Sequence, residues 1–200
     1  MSFFSKFSRS SASYDFLVVG LGNPGDRYLS TRHNAGFMAL DLLAKKEDLS
    51  IKKSKFHSLC GDYSTGNARV LLIKPQTFMN NSGDAVREAA SFYKLPPQRV
   101  LVLVDDTAIP PGSLRIRKSG SSGGHNGLKS IEAQLGSADY PRIRIGVGAK
   151  PPAWDLANWV LSVPEPNDLN AIRTALDNCC SAISLIAEGK IDNAMNQFNR

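Results

Sequence analysis

Four short apolar runs punctuate the chain: "FLVVG" at 16–20, "RVLLI" at 69–73, "VLVLV" at 100–104 and "IRIGV" at 143–147. The first three are nearly continuous and rich in β-branched residues, the pattern of strands buried on both faces. "LRIR" at 114–117 alternates instead, which predicts a half-exposed strand, and "FHSLCGDYS" predicts a further strand ahead of 69–73. Between these runs the spacing becomes helical. Phe37, Leu40 and Ala44 share one face of a segment starting near Thr31, and Val86, Ala89 and Tyr93 mark a second helix that ends before Pro96-Pro97. Leu128, Ile131 and Leu135 mark a third, stopped by Gly136. Leu169, Ile172, Leu176, Ile183 and Ile186 mark a longer helix closed by Gly189, and a short amphipathic segment follows through Met195 and Phe198. Strands that alternate with helices, with no repeat and no long linker, predict a single α/β domain. Its sheet is twisted and mostly parallel or mixed, with helices on both faces. The first fourteen residues are Ser-rich, carry Lys6 and Arg9 and lack acids. They read as a flexible basic tail before a domain at 15–200; the alternative is a remnant of an organellar targeting segment.

Composition narrows the class. With 200 residues, 42% of them hydrophobic, the chain can bury a real core. No apolar run reaches the roughly 18–20 residues of a membrane span, so a soluble protein without a membrane partner is expected. A net charge of +6 favours a polyanionic partner such as nucleic acid. Three cysteines, two of them adjacent, make no disulfide framework and fit the reducing cytoplasm. The histidines, His33, His57 and His125, lie far apart in sequence and form no ligand-spaced pair, so no structural or catalytic zinc site is expected.

Two glycine motifs invite misreading. Gly20, Gly22 and Gly25 in "GLGNPG" match the dinucleotide fingerprint, which needs a helix opening at the glycines and an acid ending a second strand. Here Asn23-Pro24 and Asp26-Arg27-Tyr28 read as a turn, and Asp41, at a suitable distance, falls inside a helical stretch. The fingerprint therefore fails in context. "GSSGG" at 120–124 matches the nucleophile elbow of serine hydrolases, but the preceding "LRIRKSG" is polar and alternating, so Ser122 falls in a loop.

What remains is a set of polar residues where strands end. "RHNAG" places His33 and Asn34 in the first turn of a helix, where the dipole favours neutral imidazole. "QTFMNNSG" places Asn80 between a strand and a helix, "VLVLVDDT" ends a buried strand with Asp105 and Asp106, and "GGHNG" sets His125 and Asn126 before the third helix. In open α/β sheets ligands gather at the carboxyl ends of strands. Convergence of these loops would assemble a neutral His, a carboxylate and several carboxamides. A His oriented by Asp can take a proton from water, and carboxamides can hold an oxyanion, which suits ester hydrolysis without metal or cofactor. Between Arg115 and Lys150 seven basic residues face two acids, Glu132 and Asp139. Arg115 and Arg117 share one face of a strand by alternation, as do Arg142 and Arg144, which suggests a phosphate-binding surface beside the loops.

At these residues the sequence resembles the bacterial-type peptidyl-tRNA hydrolase family. "VVGLGNPGDRYLSTRHNAGF", "KPQTFMNNSG", "DDTAIPPGSLRIR", "SGGHNGLKSIEAQLGS" and "YPRIRIGVG" look like its signature segments in its order, and the resemblance covers about 16–195. It implies a monomeric esterase without cofactor that cleaves the peptide from peptidyl-tRNA. His33 then corresponds to the catalytic base and Asp105 to its orienting partner. Asn23, Asn80 and Asn126 correspond to substrate-binding asparagines, Tyr28 and Met79 to cleft neighbours, and His125 to the active-site loop. Arg115, Arg117 and Arg142 fall near the basic tRNA-binding surface. Three sites depart from the family pattern: Val104 before the Asp, Ala108 in place of an acid, and Ser121-Ser122 in a loop often richer in Gly and His. The rival expectation is a non-enzymatic RNA-binding protein on the same fold, as in plant splicing factors related to the family.

Overall fold

The computed structural model describes residues 13–199. In chain order the elements are β1 (Phe16–Gly20), α1 (Ala35–Lys46), β2 (Lys53–Lys55), β3 (Ser58–Thr65), β4 (Ala68–Pro75), α2 (Ser82–Tyr93), β5 (Val100–Asp106), β6 (Leu114–Arg117), α3 (Asn126–Leu135), β7 (Arg142–Gly146), α4 (Leu156–Val160), α5 (Pro166–Ala187) and α6 (Ile191–Phe198). The seven strands form one mixed sheet in the order β2-β3-β4-β1-β5-β7-β6. The four central strands, β4, β1, β5 and β7, run parallel. The flanking strands β2, β3 and β6 are antiparallel to their neighbours.

Alternation along the central strands sorts their side chains into two cores. Val18, Leu72, Leu101, Leu103, Ile143 and Ile145 point to the face covered by α1, α5 and α6. Leu17, Val19, Leu71, Ile73, Val102 and Val104 point to the face covered by α2 and α3. Burial on both faces is why these runs are continuously apolar. The last element also finishes an edge: the Asn199 amide accepts from the Ile116 N–H (2.6 Å) and donates to its carbonyl (3.2 Å), completing the pairing of outer strand β6.

Gly20 and Gly22 of "GLGNPG" serve packing. A Cβ on Gly20 would stand 2.5 Å from the Gly36 carbonyl oxygen, and one on Gly36 would stand 2.4 Å from that of Leu103. This close crossing drives α1 onto β1 and β5 and leaves no phosphate cradle. Asp41, the would-be ribose acid, pairs instead with Lys74 at 2.6 Å.

Two elements were not anticipated, β2 and α4. The first expected helix also starts later: Arg32–Asn34 form a separate 3-10 turn, and α1 begins at Ala35. Of the expected N-terminal tail, residues 1–12 lie outside the described residues. Tyr14 packs edge-on against Tyr93, with ring centroids 4.8 Å apart, and donates a hydrogen bond to Asp62. Among the described residues no helix is long and apolar enough to cross a membrane.

Candidate active site

Loops after β1, β4 and β5 and the loop before α3 meet at one end of the sheet. They enclose a cavity of about 520 Å³ lined by Asn23, His33, Met79, Asn80, Asp105, His125 and Asn126, together with residues of α4. Residues spread over a hundred positions of sequence thus share one cleft, at the strand ends where open α/β sheets hold ligands.

At its floor Asp105 is buried, 3% exposed, at the end of β5. His33 Nδ1 donates to both of its oxygens, at 3.0 and 3.1 Å. That tautomer leaves His33 Nε2 free for the cavity. His125 Nε2 donates to Asp105 Oδ1 at 3.1 Å, while the Leu128 N–H points at His125 Nδ1. The Leu128 contact, at 3.4 Å, favours the tautomer in which Nε2 carries the proton. Hence one carboxylate accepts from two imidazoles whose rings lie 5.0 Å apart.

Burial of Asp105 alone would raise its pKa, but the two imidazoles outweigh it and hold the carboxyl well below the usual carboxylate range. Burial of His33 alone would lower its pKa, but the charge and hydrogen bond of Asp105 reverse the sign, so the net shift is upward. The net direction is opposite to the one a helix dipole alone would give. His33 sits in the 3-10 turn before α1, and a dipole worth roughly 0.3–1 kcal/mol is weaker than a buried carboxylate in direct contact.

His33, Asp105 and His125 also offer three ligand atoms within 4.8 Å of one another. A metal ion there would have to displace both shared protons, and the Leu128 N–H opposes moving the His125 proton to Nδ1. The donor set therefore fits a proton network better than a metal centre.

The asparagines are set by their own bonds. The Asn34 side chain spans the Asn23 backbone, accepting from its N–H at 2.9 Å and donating to its carbonyl at 3.0 Å. Asn23 Oδ1 accepts from the Met79 N–H at 2.9 Å, which joins the β1 loop to the β4 loop. With Oδ1 taken, Asn23 has its Nδ2 hydrogens left to offer the cavity. Asn80 and Asn126 are exposed on the cavity lining.

Two expected site residues lie elsewhere. Tyr28 does not line the cavity; its half-buried ring lies under the Arg27 guanidinium, 4.6 Å from Cζ to centroid. Arg142 is not on a surface; it is 1% exposed. Its guanidinium donates to the carbonyls of Gly120, Ser121, Ala138 and Tyr140 and so pins the 118–121 loop from beneath. Alternation did place Arg142 and Arg144 on one face, but that loop covers the Arg142 end of it. Arg115 and Arg117 are exposed, and in the β6–β7 ladder they stand opposite Arg144 and Arg142. Ser122 does not line the cavity either, which leaves the serine-nucleophile reading without a site.

Phe78 and the α4 wall escaped the sequence reading, while Arg144 and Asn34 were named there without the roles the structure gives them. Phe78, half-exposed at the cavity, has φ 60, a strained value that nothing in "QTFMNNSG" announces. Leu156, Ala157, Val160 and Leu161 form a wall from the unanticipated α4. Arg144 lines the cavity and pairs with Asp106 at 3.1 Å. Asn34 holds the Asn23 loop; its place beside His33 in "RHNAG" was the available signal.

The family model described as peptidyl-tRNA hydrolase matches residues 17–200. The chain is 46% identical to a peptidyl-tRNA hydrolase of Symbiobacterium thermophilum, over 92% of this chain and 98% of that one. It is 45% identical to the protein of that name from Caldicellulosiruptor saccharolyticus, over 92% and 97% of the two chains. The crystal structure of peptidyl-tRNA hydrolase from Acinetobacter baumannii superposes with a TM-score of 0.87 at 35% identity, covering 95% of this chain and 97% of that one.

Proposed function

The chain belongs to the peptidyl-tRNA hydrolase family, and from that premise we propose that His33 is the base with which it hydrolyses the ester joining peptide to tRNA. The activity is that of an esterase acting on peptidyl-tRNA. The observation that carries the residue assignment is the His33–Asp105 contact, which aims Nε2 at the cavity. In this reading Nε2 takes a proton from a water, and the water oxygen attacks the ester carbonyl. Asp105 stabilises the imidazolium. The carbonyl oxygen becomes an oxyanion, which the Asn23 Nδ2 hydrogens bind. Collapse of the intermediate expels the ribose oxygen, which regains its proton from His33. Asn80 and Asn126 hold the peptide and the tRNA end, with Met79 packed beneath. His125 acts through Asp105.

Arg115 and Arg117, exposed and without a carboxylate partner among the described residues, are the proposed contacts for tRNA phosphates. We assign the enzyme to the cytoplasm as a monomer, with 15–200 as its catalytic domain. A purely RNA-binding role would have no use for a buried carboxylate shared by two histidines at the floor of a cavity.

The test is hydrolysis of peptidyl-tRNA by the wild type and by His33→Ala, side by side. Turnover should fall by about 10²–10⁴-fold while tRNA binding is kept. Unchanged turnover in purified His33→Ala overturns the assignment.

A further inference from the structure

The α4 wall of the cleft has little apolar packing to hold it. It is five residues long, too short to be stable alone. Within it only Val160 is buried, while Leu156 and neighbouring Trp154, Leu161 and Val163 are exposed. An Asp155 cap to the Ala157 and Asn158 N–H groups organises its first turn without tying it to the domain.

The tie comes from Arg32, the residue before His33, which is 1% exposed. Its Nη1 donates to Ser162 Oγ at 2.7 Å and to the Val163 carbonyl at 3.1 Å, and its Nε donates to the Val147 carbonyl at 3.3 Å. The guanidinium lies over the Trp159 ring, 3.6 Å from Cζ to centroid, and reaches Asp168 of α5 at 3.5 Å. The Arg32 N–H also donates to the Ser162 carbonyl at 3.1 Å. Backbone and side chain of one residue thus grip the segment that follows α4. On its other side Trp159 Nε1 donates to the Gly148 carbonyl at 3.0 Å.

We propose that Arg32 is a positioning residue that seats the α4 wall against the turn carrying His33, so that the substrate-facing wall keeps a fixed distance from the base. The proposal rests on the reading of this cleft as the substrate site. The planar fork is what the role requires: it donates in three directions while stacking on indole, whereas an ammonium is a point charge with no stacking plane. His33 itself is held independently by Asp105, and the following Asn34 by the Asn23 backbone. Loss of the fork should therefore loosen the wall and leave the base in place, a KM effect rather than a kcat effect.

The protein carries its own probe. Its two tryptophans, Trp154 and Trp159, both lie at α4 and pair edge-to-face with centroids 5.6 Å apart. Intrinsic tryptophan emission accordingly reports this wall and nothing else.

The experiment compares wild type with Arg32→Lys in two readouts. Without substrate, tryptophan emission should move to longer wavelength and acrylamide quenching should increase. With peptidyl-tRNA, KM should rise about tenfold while kcat stays within about threefold and the pH profile keeps its position. Where Arg32→Lys does not fold, Trp159→Leu removes the stacking partner from the wall side and should show the same KM-against-kcat split. Unchanged emission with unchanged KM overturns the proposal. So does a fall in kcat at constant KM with a displaced pH profile, which would place the action of Arg32 on His33 instead. The emission readout needs no turnover, so it stands apart from the assignment of His33 as base.

Discussion

On the floor of the cleft one carboxylate, Asp105, accepts from two imidazoles; on the β6–β7 face four arginines stand opposite one another with Asp106 as their one paired carboxylate among the described residues. The floor is buried and its polar atoms are matched to one another. The arginine face places like charges directly across a ladder, an arrangement that weakens a sheet unless something else uses the charge. Here the four divide the work. Arg142 has gone inward to hold a loop, Arg144 has its own carboxylate, and Arg115 and Arg117 are left for solvent or an anion. Precision belongs to the floor, where every bond has a fixed partner. The proposed role of the face is affinity, where charge matters more than geometry.

Breaking the floor should have the largest effect. Asp105→Asn keeps the shape but removes the charge, and turnover should fall by about 10²–10⁴-fold with tRNA affinity unchanged, checked by single-turnover hydrolysis and a binding titration. Next comes the inward arginine. Arg142→Leu strips donors from four carbonyls, two of them at the exposed 120–121 turn, and should cost about 2–4 kcal/mol in denaturant unfolding. Its effect on the salt dependence of tRNA binding should be small, because a buried guanidinium releases no counterions. Arg115→Ala with Arg117→Ala should do the reverse. Stability should change by less than about 0.5 kcal/mol, while affinity weakens and the slope of log K against log salt falls by roughly one for each phosphate no longer neutralised. A double variant that left the slope untouched would remove these two residues from the tRNA surface.

How legible each region was in the sequence follows from the same contrast. Strands β1, β4, β5 and β7 announced themselves because burial on both faces leaves only apolar choices. β2 did not: all three residues of "KSK" are exposed, and the strand exists only through its pairing with Ser58–Cys60. α4 did not, because Leu156 faces a cavity rather than the core and the helix buries only Val160. His33, Asp105, Asn80 and Asn126 were readable as polar residues at strand ends, the place where a buried sheet stops and chemistry can begin, whereas Asn23 was marked only by the family resemblance. That His125 would share Asp105 was not readable, since nothing in the intervening loop and strand sets that distance. Arg142 shows the limit of periodicity. Alternation tells which face a side chain takes, not which loop will fold over that face.

The claim at the centre is that Asp105 sets the protonation of His33. It is tested most directly by the pH dependence of kcat/KM for peptidyl-tRNA hydrolysis in the wild type and Asp105→Asn. An imidazole works as a base only when neutral, so the role proposed for His33 makes activity rise with pH through its pKa. Asp105 raises that pKa above the ordinary 6.5 of a histidine, which puts the wild-type midpoint on the alkaline side of 6.5. Removing the carboxylate charge leaves burial, which lowers the pKa, so the residual activity of Asp105→Asn should show its midpoint displaced to lower pH. Midpoints that coincide in the two proteins would contradict the account.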